Sequence, residues 1–119
     1  VAATTRATAI RIGNPASWDR AARAILETRG EVIALPDDAI FEAKREIDRA
    51  GIGCEPASAA GVAGVRVLRA RGTIAATDRV VAILTGHLLK DPTPDPADIN
   101  SIPPIPATAD ALLSALAGA

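Results

Sequence analysis

Arg79-Val80-Val81-Ala82-Ile83-Leu84-Thr85-Gly86-His87-Leu88-Leu89-Lys90-Asp91-Pro92 is the stretch that decides the reading of this chain. Residues 80–84 form an unbroken apolar run, too short for a membrane span and too continuous for a half-exposed strand, so the pattern predicts a buried parallel strand. The run ends at Thr85-Gly86, a hydroxyl followed by a residue free to take positive φ, where the chain is expected to turn at the carboxyl edge of a sheet. Ligands of open α/β sheets sit at such edges. A threonine there offers one donor and two lone pairs to a small polar group.

Working outward, four helices and two further strands are expected. Asn14-Pro15 reads as an N-cap followed by proline at the first helical position, and Trp18, Ala22, Ile25 and Leu26 recur at helical spacing, so residues 15–29 form a helix stopped by a left-handed Gly30. A short strand follows at 31–35. Pro36-Asp37-Asp38 opens a second helix whose core face carries Ile40, Ala43, Ile47 and Ala50, with Lys44, Arg45, Glu46 and Asp48 toward water and Gly51 at its end. Those mixed charges make ordinary intrahelical pairs and no binding patch. Residues 52–54 form a very short strand, and residues 58–71 a third helix with a small-residue side (Ala59, Ala60, Gly61, Ala63, Gly64) suited to close approach. Alternating helices and strands imply parallel pairing through right-handed crossovers, an α/β architecture of three layers with helices flanking a parallel sheet. The α/β core spans 1–92, a proline-rich connector 93–107 and a terminal helix 108–117, capped by Thr108 with Leu112, Leu113 and Leu116 on one face.

Composition narrows the function. With 119 residues the chain is one domain at most, and its 49% hydrophobic content provides a core built from Ala, Val, Ile and Leu, because aromatics are only 2%. A net charge of -1 argues against nucleic acid or an anionic membrane as partner, and the aromatic platforms of single-strand binders are missing. No long apolar run or basic leader is present. Cys54, the single cysteine, forms no intramolecular disulfide or metal cluster and fits a cytosolic compartment as a small buried hydrophobe.

Three blocks carry a family resemblance. Thr85-Gly-His-Leu-Leu-Lys-Asp-Pro92 is similar to the signature near the C-terminus of threonine synthases, pyridoxal-phosphate enzymes of the tryptophan-synthase-β type (fold type II). Ala7-Thr-Ala-Ile-Arg-Ile-Gly-Asn-Pro15 resembles that family's central loop, and Gly53-Cys-Glu-Pro-Ala-Ser-Ala-Ala60 its Cys-Glu-Pro-Ala-Ser-Ala-Ala motif. Leu89 stands where many relatives carry glycine, a tolerated variation. The resemblance covers nearly the whole chain but only the C-terminal third of a family member, the part that completes the large, cofactor-binding domain.

The resemblance implies pyridoxal 5'-phosphate as cofactor and O-phosphohomoserine as small-molecule substrate, converted with water to threonine and phosphate. It implies the remainder of the same enzyme chain as partner, a homodimer and a cytoplasmic location. By position alone Thr85 is a strand-end hydroxyl; the resemblance implies that it hydrogen-bonds the pyridine nitrogen, and as a neutral group it does not hold that nitrogen protonated as a carboxylate would. Glu55 is by itself a surface carboxylate and by resemblance lies near the cofactor ring. Ser58 reads as the N-cap of the third helix, not as a nucleophile, since no histidine is placed to activate it. His87, the single histidine, reads as a helix-start or loop residue; Asn14 as a cap; Arg11 as a contact to an anionic group or a carboxylate. The chemistry also needs a Schiff-base lysine and a glycine-rich phosphate loop. Lys44 and Lys90, the two lysines, match neither that lysine nor its context, and no such loop is present. The chain by itself is therefore expected to be inactive. Other fold type II enzymes (a threonine dehydratase or a cysteate synthase) and a non-catalytic α/β module are the alternatives.

Overall fold

The structure, a computed structural model, describes residues 2–91 and 104–117. Its elements are α1 (Trp18–Thr28), α2 (Asp37–Arg49), α3 (Pro56–Ala70) and α4 (Ala109–Ala117), with 3-10 turns at Thr8–Ile10 and Leu88–Lys90. No strand occurs among the described residues, which overturns the expected α/β fold with its parallel sheet and, with it, the three-layer large-domain architecture. Residues 31–35, 52–54 and 80–84 are irregular chain without a hydrogen-bonded ladder. Continuous apolar patterning reports that a segment suits burial, but a strand exists only where a neighbouring backbone satisfies its N–H and C=O groups. Here no described backbone forms a ladder with these runs, and only some of their side chains pack: Val81 is 87% exposed, Ile83 76% and Val32 73%. The radius of gyration, 17.9 Å, exceeds the roughly 13–14 Å of a compact chain of this length.

What does pack is a helix pair. Ile40, Ala43 and Ile47 come from one face of α2 at the i, i+3, i+7 spacing, and Ala59 and Ala63 from the small-residue side of α3, with Cys54 between them. Leu35, Ala60, Val62 and Leu84 close the margin of this cluster. Each buried isoleucine contributes about 1.5–3 kcal/mol. Ala50, expected on the core face, is exposed, because α2 ends at Arg49 and the chain reverses through Gly51 at φ 78°. The glycines of α3 were read as a demand for close approach. A methyl on Gly64 would meet Ile33 at 3.5 Å and one on Gly61 would meet Ala82 at 4.0 Å, ordinary contacts that leave room for alanine.

Two expected helix boundaries moved. α1 begins at Trp18, not after Asn14, and Ser17 holds the N-cap position without a side-chain cap bond. Its stop is also different: Arg29 takes the left-handed conformation (φ 53°), and Gly30 N–H donates to Ile25 C=O at 2.7 Å. The apolar face of α1 is not buried; Trp18, Ala21, Ala22, Ile25 and Leu26 line an open apolar groove with Val32. In α4, Thr108 Oγ1 accepts the N–H of Ala111 at 3.3 Å, and Leu112, Leu113 and Leu116 are exposed. Most of the expected connector over 93–107 lies outside the described residues. Among them, no helix is long and apolar enough to cross a membrane, and no group of three or more His, Cys, Asp or Glu side chains could hold a metal ion.

The N-terminal arm is tied down by charge. Asp37 opens α2, where the helix dipole favours a negative group. Its two oxygens accept Thr5 Oγ1–H at 2.6 Å and Arg6 N–H at 2.9 Å. The Arg6 guanidinium reaches Asp38 at 2.5 Å and lies 4.4 Å from the centroid of buried Phe41. The Thr5 hydroxyl, then the Arg6 amide, hold the Asp37 carboxyl below its usual range. A folded-state pKa below the unfolded one means stability that is present above the unfolded value, about 3.9, and lost as pH falls through the lower folded value. Asp37→Asn is therefore expected to flatten the acid limb of a melting-temperature profile between pH 5 and pH 2, as measured by circular dichroism, while the profile of the unchanged protein falls there.

Candidate functional site

Three short segments meet at the N-terminal end of α3. The first is Cys54-Glu55, which enters the helix through Pro56, a residue suited to the first helical turn because its missing N–H is not needed there. The second is Thr85-Gly86-His87. The third is the arm at Ala7-Thr8.

Ser58 joins the first two. It is the third residue of α3, and its side chain does not cap the helix as the sequence suggested; Glu55 takes the N-cap position. Ser58 is 4% exposed, and its Oγ accepts Gly86 N–H at 2.9 Å and lies 3.1 Å from Thr85 Oγ1. Glu55 N–H in turn donates to Gly86 C=O at 3.0 Å. Gly86 thus has both backbone groups engaged with the start of α3, which satisfies a buried peptide that would otherwise be costly.

Glu55 is itself only 8% exposed, and its carboxylate lies directly against the Cα of Gly86. A β-carbon on Gly86 would fall far inside van der Waals contact with all three carboxylate atoms. The expectation that Gly86 serves a positive φ is corrected by this: the left-handed glycines are Gly51, Gly53 and Gly72. Gly86 is needed for closeness.

Thr85 is exposed as a residue, and its hydroxyl is anchored by Ser58. His87 caps the 3-10 turn, its Nδ1 accepting Leu89 N–H at 3.2 Å, as a helix-start role requires. At the far end of that turn Asp91, 6% exposed, accepts the Thr8 hydroxyl at 2.6 Å. Ala7 beside it is fully buried. Arg11 is exposed and contributes to the field that lowers the Asp37 pKa. Asn14 lies in the turn ahead of α1 and makes no cap. Cys54 is a free, fully buried thiol, and burial pushes its pKa up.

The lysines are elsewhere in role. Lys44 on α2 pairs with Asp48 at 2.5 Å, and Lys90 closes the 3-10 turn.

The chain belongs to the family of the pyridoxal-phosphate dependent enzymes, whose model matches residues 1–86. Among its curated relatives are threonine synthases. It is 52% identical over 89 residues to the threonine synthase of Methanosarcina acetivorans, covering 74% of this chain and 22% of that protein. Over 113 residues it is 42% identical to the enzyme of Mycobacterium leprae, covering 94% and 31%. The Synechocystis sp. enzyme is 51% identical over 89 residues, covering 74% and 23%. The chain thus spans between a fifth and a third of the length of these relatives.

The described residues fit one side of a pyridoxal-phosphate site. A neutral hydroxyl on an exposed residue, anchored by a buried serine, suits an aromatic ring nitrogen. Sequence reasoning missed Ser58, Thr8 and Asp91 as parts of this assembly. The one available signal for Ser58 was its place on the small-residue, inward side of α3, next to Ala59.

Gly86→Ala is expected to displace the Glu55 carboxylate and to destabilise by roughly 1–3 kcal/mol in urea unfolding. In a Glu55→Ala background the same change is expected to be nearly neutral, within about 0.5 kcal/mol. Equal costs in both backgrounds would show that the Glu55 contact is not what requires glycine.

Proposed function

We propose that this chain is a portion of a threonine synthase, which converts O-phosphohomoserine and water to threonine and phosphate with pyridoxal 5'-phosphate. The observation that supports it best is exposed Thr85, whose hydroxyl lies 3.1 Å from buried Ser58 Oγ where the Cys54-Glu55 and Thr85-Gly86-His87 segments meet. In this reading Thr85 and Glu55 are the residues of this chain that bind the cofactor.

Thr85 Oγ1–H donates to the pyridine nitrogen. Being neutral, it orients the ring without protonating it, whereas a carboxylate would favour the protonated ring. Glu55 sits behind Gly86 and holds the 85–87 loop in place. Asp91, through Thr8, fixes the other end of the same loop to the N-terminal arm. When bound, the cofactor supplies an electron sink for carbanion chemistry on an amino-acid substrate. The lysine that carries the cofactor belongs to another part of the enzyme, since Lys44 is paired with Asp48 and Lys90 ends a surface turn. We extend to the enzyme the homodimeric state and cytoplasmic location implied by its resemblance; the free Cys54 thiol fits a reducing compartment.

The 119-residue chain supplied with pyridoxal phosphate and O-phosphohomoserine is expected to release no phosphate above background. In the holoenzyme that contains these residues, Thr85→Val is expected to lower kcat/KM for O-phosphohomoserine by roughly 10- to 100-fold. Phosphate release by the chain alone contradicts the assignment of the lysine. Deamination of threonine by the holoenzyme in preference to phosphate release would make it a dehydratase.

A further inference from the structure

Ser58 is a buried polar group that the proposed chemistry does not use, and its surroundings restrict which way its proton points. A serine hydroxyl has one hydrogen and two lone pairs. Gly86 N–H occupies one lone pair at 2.9 Å, and a backbone amide can only donate. If Thr85 also donated into Ser58, both lone pairs would be filled, and the Ser58 hydrogen would need a separate acceptor in a site that is 4% exposed. Among the described residues the acceptor within reach of that hydrogen is Thr85 Oγ1 at 3.1 Å. No buried side-chain oxygen or nitrogen among them lacks a partner, so the Ser58 hydroxyl is satisfied by this pair of contacts. The bonds then run in one direction, from Gly86 N–H to Ser58 Oγ and from Ser58 Oγ–H to Thr85 Oγ1. Thr85 Oγ1 is left with its own hydrogen turned outward.

We infer that Ser58 is a positioning residue that keeps the Thr85 hydrogen from turning back into the protein, so that Thr85 presents a donor to a ligand nitrogen with a free lone pair. The inference rests on the reading that Thr85 faces the cofactor ring. It adds a cause for orientation: an isolated threonine hydroxyl rotates, and its hydrogen turns inward as readily as toward a ligand. Ser58 removes the inward orientation because its proton occupies one of the two Thr85 lone pairs; the other lone pair and the Thr85 hydrogen remain on the outer side. The backbone amide of Gly86 can only donate, which favours this direction for the chain of bonds.

The test is a double-mutant cycle in the holoenzyme, read by the dissociation constant for pyridoxal phosphate and by the nitrogen-15 chemical shift of ring-labelled cofactor. Thr85→Val is expected to weaken cofactor binding. Ser58→Ala is expected to weaken it roughly 3- to 10-fold and to move the ring-nitrogen shift toward that of the protonated form. In the Thr85→Val background, Ser58→Ala is expected to have no further effect on either readout. Ser58→Thr, which keeps the hydroxyl, is expected to retain the unprotonated shift, so a general loss of fold on truncation cannot imitate the result. A silent Thr85→Val would overturn the placement of Thr85 at the cofactor, and the inference with it. A normal Thr85→Val effect combined with an equal Ser58→Ala effect in both backgrounds would overturn the inference alone, because Ser58 would then act by packing and not through Thr85.

Discussion

The hydroxyl of Ser58 ties the start of α3 to the loop at residues 85–87, and most of the candidate site depends on that junction. It sits where a side chain from the helix and a backbone amide from the loop meet away from water. The reciprocal bond from Glu55 N–H to Gly86 C=O closes the connection from the other side. Two hydrogen bonds to the two peptide units that flank Gly86 fix both its position and its orientation. Glu55 can then lie against Gly86, and Thr85 can face outward with one side of its hydroxyl already engaged. A buried hydroxyl with each contact satisfied is more than a local detail: removing it would leave a buried amide without a partner, at about 1–3 kcal/mol.

Around this junction the molecule divides into a packed part and an uncovered part. α2 and α3 share a small core of isoleucine, alanine and the Cys54 thiol, and the N-terminal arm is clipped to α2 by Asp37 and to the 3-10 turn by Asp91. By contrast, α1, the run at 80–84 and α4 expose Leu26, Val81, Ile83, Leu113 and other large apolar side chains. Apolar surface on this scale ordinarily marks a place where further protein belongs. This agrees with a chain that spans a fifth to a third of the length of its threonine synthase relatives.

The sequence made some features readable and hid others for definable reasons. α2 was legible because Pro36, two acidic residues at its start and a glycine after its end all mark the same boundaries. α1 was placed three residues early, because Asn14-Pro15 looks like a cap while the structure uses no side-chain cap there. The sheet was misjudged at 80–84 because an apolar run encodes a preference for burial and carries no information about which backbone will pair with it. The turn at Thr85-Gly86 was found, though for an incomplete reason: the glycine answers the Glu55 carboxylate and not a left-handed backbone. Ser58 reads as a cap because the sequence starts the third helix at that residue, whereas the helix begins at Pro56. Its real partner is 28 residues away, a separation that no local pattern reports.

The central claim is that Gly86 is locked to α3 through both of its peptide groups, and amide hydrogen exchange measures this directly. The Gly86 and Glu55 amides are expected to exchange slowly and together, at rates similar to those of the first turns of α3, while the amide of Thr85 exchanges faster. Exchange of Gly86 as rapid as that of Thr85 would mean that the Ser58 bond is not maintained, and the account of the site would fail with it.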